Sequence, residues 1–130
     1  MQLISAISGP VLLYALEALN LNKSQRDFIE HTWNRTFMKI YNTFDNRIVK
    51  LCQYYGGFLP TSYTIDLKRC GFLKKLPSTQ NSLLFFISST LGKTEWNETA
   101  YKFNSDINIF YNDFHKIIHK AFYMEVEDIV

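Results

Sequence analysis

An all-α domain, a compact bundle of about five to six helices, is the fold class this sequence predicts, and three observations predict it. Apolar residues recur at steps of three and four, as in Ile29, Trp33, Phe37, Ile40 and Tyr41, which sets them on one face of a helix. Residues with short polar side chains stand ahead of several such runs, where a helix needs an acceptor for its first backbone N–H groups. At 130 residues, 47% hydrophobic and 20% charged, the chain has the size and make-up of one domain around one core.

The first segment runs from about Gln2 to Leu19, and Pro10 favours a helix starting near Val11. This apolar stretch is too short to span a bilayer, which takes about 20 apolar residues. Gly9-Pro10 interrupts it, Glu17 closes it and no Lys or Arg precedes it, so a buried helix is expected and no membrane partner. Asn22, with Gln25 three residues on, resembles a capping box that opens a helix to about Asn42. Asp45 is a plausible cap for a third helix through Ile48, Val49, Leu51, Cys52 and Tyr55, which Gly56-Gly57 ends.

A fourth helix is expected from Pro60 to Ser62 onwards, through Tyr63, Leu67, Cys70 and Leu73, ending before Pro77. Ser78 or Thr79 then caps an apolar run from Leu83 to Leu91, with Gly92 as its terminator; the run reads as a short helix or a buried strand. Lys93 to Asn104 reads as a loop with a weak helix. The last helix follows Ser105 or Asp106 and carries Ile107, Phe110, Phe114, Ile117, Ile118 and Ala121 on one side. Met124 to Val130 reads as an acidic, fraying tail.

Charge is unevenly placed. Residues 1–75 carry ten Lys and Arg against five Asp and Glu, +5; residues 76–130 carry four against seven, −3. The basic part suits a polyanion, and the candidate nucleic-acid-binding residues are Lys23, Arg26, Arg35 and Lys39 on one helix and Lys68, Arg69, Lys74 and Lys75 on another. Charged outer faces are also what any amphipathic helix shows.

The constellations of catalysis are missing. His115 and His119 sit four apart, the spacing that aims two ligands at one metal, but no third ligand stands at a diagnostic distance; His31 is alone. There is no Gly-x-Ser-x-Gly elbow, no phosphate-cradling glycine loop and no pair of carboxylates in the body of the chain. Cys52 and Cys70 read as reduced core thiols. No catalytic residue, metal or cofactor is expected.

The stretch Pro10-Val11-Leu12-Leu13-Tyr14-Ala15-Leu16-Glu17, with Leu21-Asn22-Lys23 and the run Asn34-Arg35-Thr36-Phe37-Met38-Lys39-Ile40, resembles the region just after the palm in reverse transcriptases of jockey-like non-LTR retrotransposons. The resemblance continues through Ile48-Val49-Lys50-Leu51-Cys52 and from Leu59-Pro60 to Leu76, about the first 75 residues. The family usually has Gly where this chain has Ala15. The resemblance implies a thumb-like basic helical region over residues 1–76 and a C-terminal helical extension, 77–130, packed on it. It further implies a non-catalytic fragment of an RNA-directed DNA polymerase, since the family's palm turn, Tyr or Phe-x-Asp-Asp, is not in this sequence. The implied partners are template–primer nucleic acid, RNA or DNA, and the rest of the polymerase, in nucleus or cytoplasm. The rival expectation is a helical protein-interaction module whose aromatics, among Tyr54, Tyr55, Tyr63 and Trp96, dock on another chain.

Overall fold

A computed structural model describes residues 3, 6, 7, 9–14, 16, 19 and 21–130. The fold is all-α, and no strand occurs among the described residues. The helices are α1 (Gly9–Leu12), α2 (Lys23–Tyr41), α3 (Asn46–Tyr55), α4 (Thr61–Lys75), α5 (Ser82–Ile87), α6 (Lys93–Lys102) and α7 (Ile107–Ile129). A 3-10 turn (Leu76–Ser78) follows α4, and a wide π-helical turn (Ser88–Gly92) joins α5 to α6.

Local chemistry sets most of the ends. The Asn22 side chain accepts the Gln25 N–H at 2.9 Å while the Gln25 side chain accepts the Asn22 N–H at 3.0 Å, completing the capping box. Asn42 closes α2 in the left-handed region at φ 50°, which asparagine tolerates better than most residues. Asp45 accepts the Arg47 N–H at 2.9 Å to open α3. Past α3, Gly57 takes φ 76°, a conformation that favours glycine.

Helix α4 is the middle of the bundle, burying residues toward two sides. Ile65 meets Leu13 and Leu16, with Leu21 and Ile29 around them. Cys70 and Leu73 join Leu76, Trp96, Ala100, Phe110, Phe114 and Ile118 in a second cluster that crosses residue 76. A third cluster, Trp33, Phe37 and Val49, knits α2 to α3, with Trp33 and Phe37 edge to face at 5.4 Å. The buried Gln53 amide donates to Asn34 at 2.9 Å across the same interface.

Several expectations need correction. Pro10 is the second residue of a helix that starts at Gly9, because proline fits a first turn whose N–H groups bond nothing in the helix; Ala15 and Glu17 lie outside the described residues. The cap of α5 is Asn81, not Ser78 or Thr79: its side chain accepts the N–H groups of Leu83 and Leu84. The Leu83 to Leu91 run is helical rather than a strand, α5 buries no residue, and Gly92 terminates nothing. Gly92 sits at right-handed helical φ −62°, ψ −40°, and the chain continues directly into α6.

Lys93 to Lys102 is therefore a full helix, where the sequence predicts a loop with a weak one over Lys93 to Asn104. Its inward positions are occupied by Trp96 and Ala100, four apart, among polar residues. Met124 to Val130 is no fraying tail either: α7 is helical to Ile129, with Val126 buried and Glu125 held by Lys50 and by the Tyr63 hydroxyl at 2.7 Å. Asp113, at φ −125° and ψ 27°, bends α7 so that its first half meets α6 and its second half meets α3. Cys52 is half-buried rather than core, and both thiols are free.

Candidate nucleic-acid interface and an apolar groove

The eight cations proposed from the sequence separate into two groups. Arg26, Arg69 and Lys74 make internal contacts, which pair the two arginines with carboxylates but give the Lys74 ammonium no carboxylate among the described residues. The Arg26 guanidinium donates to Asp66 at 2.8 Å, and Lys102 reaches the other oxygen of that carboxylate at 2.7 Å. Asp66 is 4% exposed, and its charge is tolerable there because two cations and two hydrogen bonds replace the water it gave up. Arg69 donates through Nε to Glu95 at 2.8 Å, tying α4 to α6. The Lys74 ammonium donates to the Tyr111 carbonyl at 3.2 Å and lies 4.6 Å from the Tyr111 ring centroid.

Lys23, Arg35, Lys39, Lys68 and Lys75 are exposed and make no ion pair among the described residues. Arg35 and Lys39 are one turn apart on α2, and Lys68 and Lys75 two turns apart on α4, so each pair shares a side of its helix. Lys23 stands apart from them, beside a cleft that also holds Arg26 and Lys102 but is lined by Asp27, Glu30, Asp66 and Glu98. That cleft does not suit an anion, because its four carboxylates outnumber its three cations.

A second charged cluster escapes sequence reasoning. Burial raises the Glu30 carboxyl above its ordinary value, against the pull of Lys50. Glu125 is also partly desolvated, yet its bonds from Lys50 and Tyr63 outweigh that and hold it below the ordinary value. Tyr63, desolvated and bonded to Glu125, is raised well above an ordinary phenol. These groups clamp α3 and α4 to the end of α7, and the contacts span 75 and 62 residues, beyond the reach of any local motif.

Burial pushes the Cys70 thiol up to about 12, which keeps it protonated and inert at neutral pH. Among the described residues, no group of three or more His, Cys, Asp or Glu side chains is placed to hold a metal ion; His115 lies against the Phe114 ring at 4.3 Å. No described helix is long and apolar enough to cross a membrane.

No family model, curated protein or solved structure matches the chain. The site is therefore read from geometry alone, and the exposed apolar surface is its other conspicuous feature. Of the aromatics expected to dock, Tyr54 and Tyr63 are half-buried, Trp96 is buried and Tyr55 is exposed. Exposed apolar side chains occur in several places, Phe28 and Phe44 among them, and one group lies at α5 and beyond it: Leu83, Phe85, Phe86 and Leu91 all face water, as do Ile107 and Tyr111 at the start of α7. Between them lies a groove of about 410 Å³ whose wall includes Leu73, Lys74, Phe85, Lys93, Trp96 and Tyr111.

Proposed function

We propose that this chain is a non-catalytic helical piece of a non-LTR retrotransposon RNA-directed DNA polymerase that contacts the template–primer backbone without reading sequence. The observation that carries the proposal is the pairing of exposed cations, Arg35 with Lys39 and Lys68 with Lys75, on two neighbouring helices. Fixed phosphates are met best by cations that no internal carboxylate already neutralises. Asn34 to Ile40, Ile48 to Cys52 and most of Leu59 to Leu76, three of the stretches that carry the resemblance, lie on α2, α3 and α4, as a helical thumb requires; Pro10 to Leu12 lie on α1, and Ala15 and Glu17 lie outside the described residues.

A salt-series titration with a primed RNA template tests this. Affinity should fall by about 100-fold between 50 and 200 mM salt if about four phosphates are engaged. Arg35→Gln with Lys39→Gln, or Lys68→Gln with Lys75→Gln, should each lower the log–log slope by about 2. Salt-insensitive binding, no binding, or slopes unchanged in both variants would refute it.

One observation favours a second reading, a protein-docking module: α5 is built almost wholly of apolar residues and buries none of them. Isolated apolar side chains are ordinary on a protein surface, but a contiguous face of them marks a contact.

A further inference from the structure

We infer that the groove beside α5 takes an acidic amphipathic helix presented by another protein. The inference rests on the docking reading and is independent of the nucleic-acid one. Its first support is the groove's shape and wall. Leu73, Phe85, Ile107 and Tyr111 offer apolar surface to a row of anchoring side chains, and Phe85 is itself 53% exposed. A helix reading i, i+3, i+4 and i+7 is the segment that brings such a row to one side.

Charge selects among possible occupants. Among the described residues, the only ionic ones in the groove wall are Lys74 and Lys93, and no carboxylate lines it. Lys93 is exposed and makes no ion pair among the described residues, while Lys74 is held against Tyr111 by its bond to the backbone carbonyl. Carboxylates flanking an apolar row would meet both ammonium groups; lysines in the same places would be repelled.

Trp96, 8% exposed, adds aromatic surface to the groove wall while its indole N–H stays buried. Bare phosphate backbone lacks the apolar side chains to cover Phe85 and Leu91, so the face is not a continuation of the cationic pairs on α2 and α4.

Two fluorescein-labelled 18-residue peptides make the test: one with Leu at helical spacing and Glu on its flanks, the other with every Glu replaced by Lys. Anisotropy should show the acidic peptide binding at least tenfold more tightly. Phe85→Ser and Lys93→Glu should each weaken it about tenfold, and Lys93→Glu should tighten the Lys peptide. Both substitutions lie at exposed positions, and a thermal melt confirms that each variant folds. Equal affinity for the two peptides, with Phe85→Ser still weakening both, would overturn the acidic partner and leave the docking reading standing. No binding, or binding indifferent to Phe85→Ser, would overturn both. Self-association abolished by Phe85→Ser would identify a second copy as the occupant and overturn the inference.

Discussion

Helices α2 and α5 put apolar residues to opposite uses. The sequence of α2 is mostly polar, yet Trp33 and Phe37 are buried, Phe37 completely. In α5, Leu83, Phe85 and Phe86 lie within six residues and all are exposed. What separates them is arrangement: α2 is 19 residues long, and its Ile29, Trp33 and Phe37 follow at steps of four and turn inward while Phe28, Ile40 and Tyr41 face water, whereas α5 is a single block of apolar residues around all sides of a short helix. Hydrophobicity by itself does not decide burial; period and length do.

The sharpest way to break this contrast is one truncation in each helix. Phe37→Ala empties a fully enclosed site and should cost about 3–5 kcal/mol, whereas Phe86→Ser should change stability by no more than about 0.5 kcal/mol. Denaturant midpoints for the two variants check the pair, and a comparable loss from Phe86→Ser would mean that α5 is covered in solution.

A smaller effect separates internal cations from exposed ones. Asp66→Ala leaves Arg26 and Lys102 without their shared carboxylate, but both reach water in part, so the cost should be about 1–3 kcal/mol, or roughly 3–10 °C in melting temperature. Lys68→Ala, by contrast, should leave the melt within about 1 °C.

The smallest expected effect depends on pH. Glu125, held below its unfolded value, contributes stability at neutral pH that is lost as pH falls through its folded value. Glu30, raised by burial, works in the opposite sense: its protonated form suits the fold, and stability falls as pH rises through its raised value. Urea denaturation of Glu125→Gln should thus show a loss of about 1 kcal/mol at pH 7 that shrinks towards pH 3. Glu30→Gln should gain slightly at pH 7 and gain nothing at pH 3. A loss in Glu125→Gln that is the same at both pH values would remove the carboxylate from the account.

Where local chemistry sets the structure, the sequence is readable. Asn22 with Gln25, Asp45, and Asn42 as the closing residue mark their ends because each bonds a backbone group within four residues. Gly92 misleads because glycine is permitted in a left-handed cap without being obliged to adopt one. The α6 helix hides behind polar residues, since only Trp96 and Ala100 declare its inner side.

The candidate site is harder to read, for a reason of distance. Arg26 and Arg69 look like Arg35 in sequence, and what distinguishes them is Asp66, 40 residues away, and Glu95, 26 residues away. Nothing local reports those carboxylates, so counting positive charge overstates what an anion would meet.

The wide turn between α5 and α6 has a geometric consequence. Ser88, Gly92, Trp96 and Ala100 are all buried and follow at intervals of four. Along an ordinary helix each interval of four overshoots a revolution by about 40°, so such a row drifts steadily around the cylinder. A turn that takes extra residues per revolution rotates its own interval the other way, cancels part of the drift and keeps the four in phase. Removing or adding one residue there would roll the preceding segment by about 100°, exchanging which of its leucines and phenylalanines meet solvent. The number of residues between Ser88 and Gly92, more than their identity, therefore sets the azimuth of the apolar ledge.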